Sequence, residues 1–369
     1  MSLVLDRPGK PVSATGQRTQ PCADTRVAMW SSPAVIAPNN FVYKSLSNWA
    51  FNIAVGCSHA CRFCYVPSAS TIKMEAKLAD YGVKDADAEW GDYVLLRPWD
   101  EQKFLASLRS AEETARSQLK PDGNRAVIYC STTDPYQVIR HPDVQQQRKL
   151  AEHARVVVRQ SLELIREGST LNVRILTRSP LARADFDLFK SFGKRLVFGM
   201  SLPTLRNDLA KVYEPKAPAP SQRLAALHAA KAAGLHVYVA VAPTYPECDE
   251  ADLRATLKAV KELKPITIFH EPINIRAENV ARIEAQGDAL GIPLRTEVFE
   301  TREAWQDYAV DALESVNRIA KELGLENRLH LWPDKSLGSA TLVERMPKPQ
   351  QFEKRLQHWW TRVSEWPSK

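Results

Sequence analysis

The stretch Ala54-Val55-Gly56-Cys57-Ser58-His59-Ala60-Cys61-Arg62-Phe63-Cys64-Tyr65 decides how the rest of the chain is read. It carries three of the six cysteines, spaced C-x3-C-x2-C, with an aromatic residue directly before the third. A strand-like run from Ala50 to Val55 feeds it, and Gly56 offers the backbone freedom for a sharp turn. Three thiolates on one loop point to a metal centre with Cys57, Cys61 and Cys64 as ligands. A closed structural zinc site takes four protein ligands. An iron–sulfur cluster held by three cysteines instead leaves one iron open to the amino and carboxylate groups of a small molecule. The competing reading is a zinc site completed by His59, in a binding module without catalysis. Zinc-finger cysteines, however, usually come in pairs separated by a longer loop.

Outward from this loop, strand and helix signals alternate. Residues 1–40, rich in Pro, Ser and Thr, read as a flexible N-terminal segment that includes Cys22 as a passive thiol. After the loop come the apolar run Tyr93–Leu96 and a helical segment from about Asp100 to Gln118. Buried-strand signals follow at Arg125–Ser131, Leu171–Thr177, Leu196–Leu202, His236–Ala242 and Ile266–His270. Helical spacing separates them, with Gly234 placed to end one helix. With the run into the cysteine loop this makes six β/α units, the pattern of a parallel α/β barrel. Polar residues at the strands' C-terminal ends, such as Thr133-Asp134 and Ser201, fall where such barrels place ligand contacts. A barrel core is expected over residues 41–299 and a helical extension over 300–369. In its last helix Phe352, Leu356, Trp359, Val363 and Trp366 fall on one face.

Cys57, Cys61, Phe63 and Cys64 match the C-x3-C-x-aromatic-C signature of the radical S-adenosylmethionine (radical SAM) enzymes, which the chain resembles. The resemblance implies a partial (β/α)6 barrel, a [4Fe–4S] cluster whose open iron chelates S-adenosylmethionine, and a 5′-deoxyadenosyl radical that abstracts hydrogen from a substrate. It also implies a reductase, flavodoxin or ferredoxin as electron donor. The segments Thr133-Asp134-Pro135-Tyr136-Gln137, Leu176-Thr177-Arg178-Ser179-Pro180-Leu181 and Tyr213-Glu214-Pro215-Lys216-Ala217-Pro218 narrow the resemblance to spore photoproduct lyase and its relatives.

For the site, this resemblance implies roles residue by residue. Thr133 and Asp134 would meet the methionine ammonium, Arg178 its carboxylate, Ser201 the ribose, and Phe63 and Tyr65 the nucleoside. Cys130, near the end of the second strand, would return a hydrogen atom to substrate. Tyr93 would open a tyrosine relay whose second position is occupied by Arg97. Glu214 is expected to orient the site or to pair with Arg223. His270 and Glu271 are expected on one side of the barrel near substrate, and Cys248 is a second candidate donor.

Composition bounds the rest. A hydrophobic fraction of 44% allows a full core, and a formal charge of +7 suits an anionic partner such as DNA or another nucleic acid. No apolar run approaches a membrane span and the N-terminus lacks a signal-peptide core, so a cytoplasmic protein is expected. The favoured substrate is a nucleic-acid base, as in a lyase of DNA repair. A peptide or small metabolite is the alternative within the same enzyme class.

Overall fold

The computed structural model describes residues 26–39 and 46–367. Cys22 lies outside them. Among the described residues eleven strands form two sheets: β1 (Arg26–Met29), β2 (Ile36–Pro38), β3 (Trp49–Phe51), β4 (Ala54–Gly56), β5 (Tyr93–Leu96), β6 (Ala126–Tyr129), β7 (Asn172–Thr177), β8 (Leu196–Ser201), β9 (His236–Thr244), β10 (Ile268–Pro272) and β11 (Leu329–Leu331). The main sheet runs β11-β10-β9-β8-β7-β6-β3-β2, parallel throughout except for β2 against β3. β4 and β5 pair antiparallel and β1 joins β5 in a separate three-stranded sheet.

The expected alternation is present, with three differences. The run into the cysteine loop is two strands rather than one, because the chain leaves the main sheet after Phe51 and joins the small sheet at Ala54. Residues 26–38, read from sequence as part of a flexible segment, contribute β1 and β2, whose partners β5 and β3 lie far along the chain. The short run Leu329–Leu331 is a seventh parallel strand, paired to β10, so residues beyond 300 share the main sheet.

Strand alternation gives the sheet two different faces. Val173, Ile175, Phe198, Met200, Val237 and Val239 pack with Val157, Leu162, Leu227 and Leu257 of the surrounding helices. The opposite face, with Val197, Tyr238, Ala240 and Phe269, lines the barrel interior. Caps place the helices around it. Asp143 accepts from Gln146 N ahead of helix Val144–Gly168, Asp249 from Asp252 N ahead of Glu250–Glu262, and Thr301 from Ala304 N ahead of Arg302–Glu322. Gly234 ends helix Pro220–Ala232 as expected, at φ +84°.

The lower barrel is filled by an unusual group. Arg174 of β7 is fully buried, and its guanidinium lies 4.9 Å, 5.5 Å and 5.0 Å from the ring centroids of Tyr238, Phe269 and Trp366. Trp366 reaches it because helix Pro349–Thr361 stops short of the expected stripe. Phe352, Leu356 and Trp359 are buried on that helix, but Val363 is exposed beyond it and Trp366 turns to the barrel. Arg362, donating to the Glu326 and Asn327 carbonyls, holds the chain where it departs from helix.

Close packing of this interior sets a testable limit. A Cβ on Gly199 would lie 2.3–2.5 Å from ring atoms of Tyr238, whose hydroxyl is tied to the Ile175 carbonyl at 2.9 Å. Gly199→Ala is expected to destabilise the fold by about 1–3 kcal/mol, as overpacking does. Urea unfolding should show a lower midpoint with an unchanged slope.

Candidate active site

Gly56 sits at φ +90°, and a Cβ there would lie 2.2 Å from the Tyr93 carbonyl oxygen; glycine is required. Ala60, also left-handed at φ +54°, bends the loop again between the first two cysteines. Such a loop satisfies few of its own backbone groups, and three neighbouring segments bond to it.

The first is the Thr-Asp-Pro-Tyr-Gln segment after β6. Thr133 Oγ1 donates to the Gly56 carbonyl at 2.6 Å and accepts from Gln137 Nε2 at 2.8 Å, while Gln137 Oε1 accepts from Ser58 N at 2.6 Å. Asp134 Oδ2 lies 3.1 Å from His59 Nε2. The second is Tyr213–Lys216, where the Tyr213 carbonyl accepts from Arg62 N and Lys216 N donates to the His59 carbonyl. The third is helix Asn279–Leu290. Arg282 donates to the carbonyls of Arg62 (3.2 Å) and Cys64 (2.6 Å) and pairs with Asp87, while Asn279 donates to the Phe63 carbonyl at 3.3 Å.

These bonds change the reading of several expected cofactor contacts. Asp134 is buried and accepts three hydrogen bonds. Oδ1 takes Thr177 Oγ1 and Tyr136 N, Oδ2 takes Arg178 N, and His59 Nε2 lies 3.1 Å from Oδ2. Burial opposes its ionisation, but His59, Thr177 and the Arg178 amide outweigh that and hold it below the usual carboxylate range. Such a carboxylate braces the loop. Thr133 does so through its bonds to Gly56 and Gln137. Ser201 is buried at the end of β8, and its carbonyl accepts from Arg223 at 3.2 Å.

Arg178 lies beside the cysteine loop. Its Nε donates to Glu214 at 2.5 Å, its guanidinium lies 5.6 Å from the Phe63 ring centroid, and its side chain is 20% exposed beside the cysteine loop. Glu214 is fully buried between Arg178 and Arg223, with the second pair at 2.6 Å, so it fills both expected roles. Removing one partner of such a buried pair costs on the order of 3–5 kcal/mol, which ties the site to the stability of the fold.

Cys130 follows β6, two residues beyond Ile128, which pairs in register with inward-facing Arg174. Beyond the strand's end it belongs to the helix-side core, with Tyr129 and Tyr136, and not to the interior cluster. It is buried, and burial pushes its thiol well up from its ordinary value, so it stays protonated. Tyr93 is elsewhere. It lies in the small sheet with Val55, Cys57, Trp90 and Leu95, and its hydroxyl donates to the Ala86 carbonyl at 2.9 Å, so it supports the loop and not the barrel interior. Arg97 donates to Ser32. His270 and Glu271 do not share a side. His270 is buried at 2.8 Å from the Val241 carbonyl and burial lowers it to about 4, a neutral core histidine. Glu271 is half-buried, and burial raises it to about 7 against the opposing pull of Arg276. Tyr65 is close enough to feel both Cys64 and Glu271, and its hydroxyl is held well above its ordinary value chiefly by burial. Cys248 lies in the loop after β9, with its backbone N–H on the Tyr245 carbonyl.

The three loop thiols interact electrostatically, and burial pushes Cys61 up to about 12 and Cys57 and Cys64 upward as well. Metal binding would have to displace those protons. Among the described residues no three Cys, His, Asp or Glu side chains converge closely enough to share one metal ion. His59, the expected fourth zinc ligand, turns to Asp134 instead. Thiols spread along one loop suit a cluster, in which each can take its own iron.

A family model, the radical SAM superfamily, matches residues 51–260. The chain belongs to that superfamily. Its cofactors are a [4Fe–4S] cluster and S-adenosylmethionine, and the donor set Cys57, Cys61 and Cys64 fits the cluster. Two relatives are uncharacterized proteins. ORF301 of Acidianus two-tailed virus is 31% identical over 266 residues, covering 69% of this chain and 79% of that protein. A protein of Methanocaldococcus jannaschii is 22% identical over 275 residues, covering 74% and 87%. Among solved structures, a spore photoproduct lyase variant with bound AdoMet and dinucleoside spore photoproduct superposes with a TM-score of 0.56 at 12% identity. It covers 83% of this chain and 80% of that one. That likeness concerns the fold.

Sequence reasoning did not find Gln137, Asn279 or Arg282, which contact the loop only through tertiary structure. It had two signals it did not use: the polar character of Gln137 beside Asp134, and an arginine on the apolar side of a helix.

Glu271 gives a pH signature. Its folded-state pKa near 7 lies above the ordinary 4.5, so the folded protein binds more protons than the unfolded chain between those values. Stability should therefore fall as pH rises from about 4.5 to about 7 and then level. Glu271→Gln should remove that slope. Thermal or urea melts of both proteins across this range check it, and equal slopes would assign the dependence to other groups.

Proposed function

We propose that this chain is a radical SAM enzyme acting on a nucleic-acid base, in the manner of a carbon–carbon lyase of lesion repair. The observation that carries this reading is the placement of Cys130. A buried, protonated thiol stands just past the end of β6, next to the segment that braces the cysteine loop.

When bound, the cluster and S-adenosylmethionine supply an electron and a 5′-deoxyadenosyl radical for hydrogen abstraction. The protein's part is binding, orientation and exclusion of water. Cys57, Cys61 and Cys64 hold the cluster. Arg178, cationic and partly exposed beside it, pairs with the methionine carboxylate, and Phe63, Tyr65 and Ser201 lie around the nucleoside. Cys130 keeps its hydrogen available because burial disfavours the thiolate.

The substrate class rests on charge and on fold. The net charge of +7 favours an anionic partner. A spore photoproduct lyase of the same fold has been solved with a dinucleoside photoproduct. A base within a duplex would have to leave the stack to reach the barrel mouth. A reductase, flavodoxin or ferredoxin is the electron donor this reading requires. Among the described residues no helix is long and apolar enough to cross a membrane, and a cytoplasmic location suits the oxygen-sensitive cluster.

The test is anaerobic reconstitution with assay of 5′-deoxyadenosine and of iron and sulfide. Wild type should form 5′-deoxyadenosine with a reductant, Cys61→Ala should not, and ultraviolet-irradiated DNA should stimulate turnover. Cys130→Ala should still consume S-adenosylmethionine but lose the repaired product. Turnover indifferent to DNA would move the substrate to a peptide or small metabolite, and zinc in place of iron would remove the enzymatic reading.

A further inference from the structure

Glu271 is half-buried at the C-terminal end of β10, and among the described residues its carboxyl accepts no hydrogen bond and pairs with no cation. Arg276, whose charge acts on it, is paired with Asp334 at 2.7 Å instead. Other acidic groups at this end of the barrel are held. Asp134 accepts from Thr177 and two backbone amides, Glu214 pairs with Arg178 and Arg223, and Glu247 accepts from Tyr213 and the Arg295 amide.

The fold turns the free carboxyl inward. Phe269, two residues earlier on β10, lies in the interior cluster, its ring centroid 5.7 Å from that of Tyr238 and 5.1 Å from that of Trp332. Strand alternation carries the same face to Glu271, still within β10. The neighbouring strand agrees. Phe269 pairs with Ala240 and His270 with Val241, and the next pair is Pro272 with Thr244, so Glu271 lies opposite Ala242 and Pro243. The extra residue is on β9, and β10 keeps its alternation. Ala242, like Ala240, packs with the interior cluster. On β8 and β9 the bulky Tyr238 ring thus has only the small side chains Ser201, Ala240 and Ala242 beyond it towards the mouth. The segment after β10 is tied to the exit of the cysteine loop. Asn279 donates to the Phe63 carbonyl at 3.3 Å, and Ser68 Oγ to the Arg276 carbonyl at 3.4 Å.

We propose that Glu271 holds the substrate base by its pairing edge, giving one hydrogen bond and accepting another. The inference rests on the nucleic-acid reading of the substrate. A protonated carboxyl is a donor beside an acceptor, as is the pairing edge of a nucleobase, whereas a carboxylate only accepts. That edge is free to be read once a base has left the stack. Burial and the Asp334 carboxylate favour the protonated form, Arg276 opposes them, and the balance stands at about 7. The adenine of S-adenosylmethionine carries an edge of the same kind, so the test separates cofactor from substrate.

The test uses reconstituted wild type, Glu271→Gln and Glu271→Leu. Formation of 5′-deoxyadenosine is measured against ultraviolet-irradiated oligo(dT) and, separately, against S-adenosylmethionine. Glu271→Leu should raise KM for the oligonucleotide about tenfold, as an unmatched hydrogen-bonding edge does. Glu271→Gln, whose amide also sets a donor beside an acceptor, should stay within about threefold of wild type. Above about pH 7 the wild-type KM should rise as the carboxyl loses its donor, while that of Glu271→Gln stays flat. An unchanged KM for the oligonucleotide in Glu271→Leu would overturn the proposal. So would parallel pH profiles for wild type and Glu271→Gln, a comparison that stands even if Glu271→Leu does not fold. A raised KM for S-adenosylmethionine alone would overturn it by placing Glu271 on the cofactor's adenine. Wild-type turnover indifferent to the oligonucleotide would refute the nucleic-acid substrate itself, a result read before any variant is compared.

Discussion

A loop that presents three thiols cannot also spend its backbone on regular structure, and its conformation must be imposed by its neighbours. Most of the site follows from that constraint. Thr133, Asp134 and Gln137 approach the loop from the end of β6, the Tyr213–Lys216 segment approaches through backbone groups, and Arg282 and Asn279 approach from a helix more than 200 residues away in sequence. Each bond is modest alone, and a single hydrogen bond contributes roughly 1 kcal/mol net. Their number and burial make the loop geometry a property of the whole barrel.

The same constraint explains why charge lies so deep here. Asp134, in the segment after β6, and Glu214, at the end of helix Asn207–Tyr213, are both buried carboxylates close to the cysteine loop. Each is held ionised by specific donors against the cost of desolvation. An ion pair in such a place is poor value as stabilisation compared with apolar packing, but it fixes direction in a way that apolar contacts do not. Glu214 aims Arg178 along one side of the loop, and Asp134 sets His59 and the Arg178 backbone. At the other end of the barrel Arg174 shows a different solution, a buried cation enclosed by three aromatic rings.

Much of this was legible in the sequence. The C-x3-C-x2-C spacing, the six strand signals and their polar C-terminal ends sufficed for the α/β barrel and the family. Local periodicity reports such features because they are set by neighbouring residues. Where the reading went astray, the deciding contacts were distant. Tyr93 follows a strand signal that is correct, yet the strand belongs to the small sheet, so the side chain supports the loop from elsewhere. Val363 and Trp366 continue a helical pattern, yet the helix stops because Arg362 and Trp366 find partners across the barrel.

What the sequence determined by itself is the chemistry available: three thiolates on one loop, one further cysteine at a strand end, and a cationic surplus. Only the tertiary structure decided how that chemistry is used. Asp134 shows nothing in sequence of the donors that reach it, Thr177, the Tyr136 amide and the Arg178 amide, and these come from separate segments. Tyr213 and Tyr245 are equivalent on paper, yet among the described residues only the Tyr213 hydroxyl finds an acceptor, Glu247. Hydrogen-bond saturation depends on every neighbour within about 3 Å. Neighbours at that range are assembled from the whole chain, so no local stretch of sequence records them.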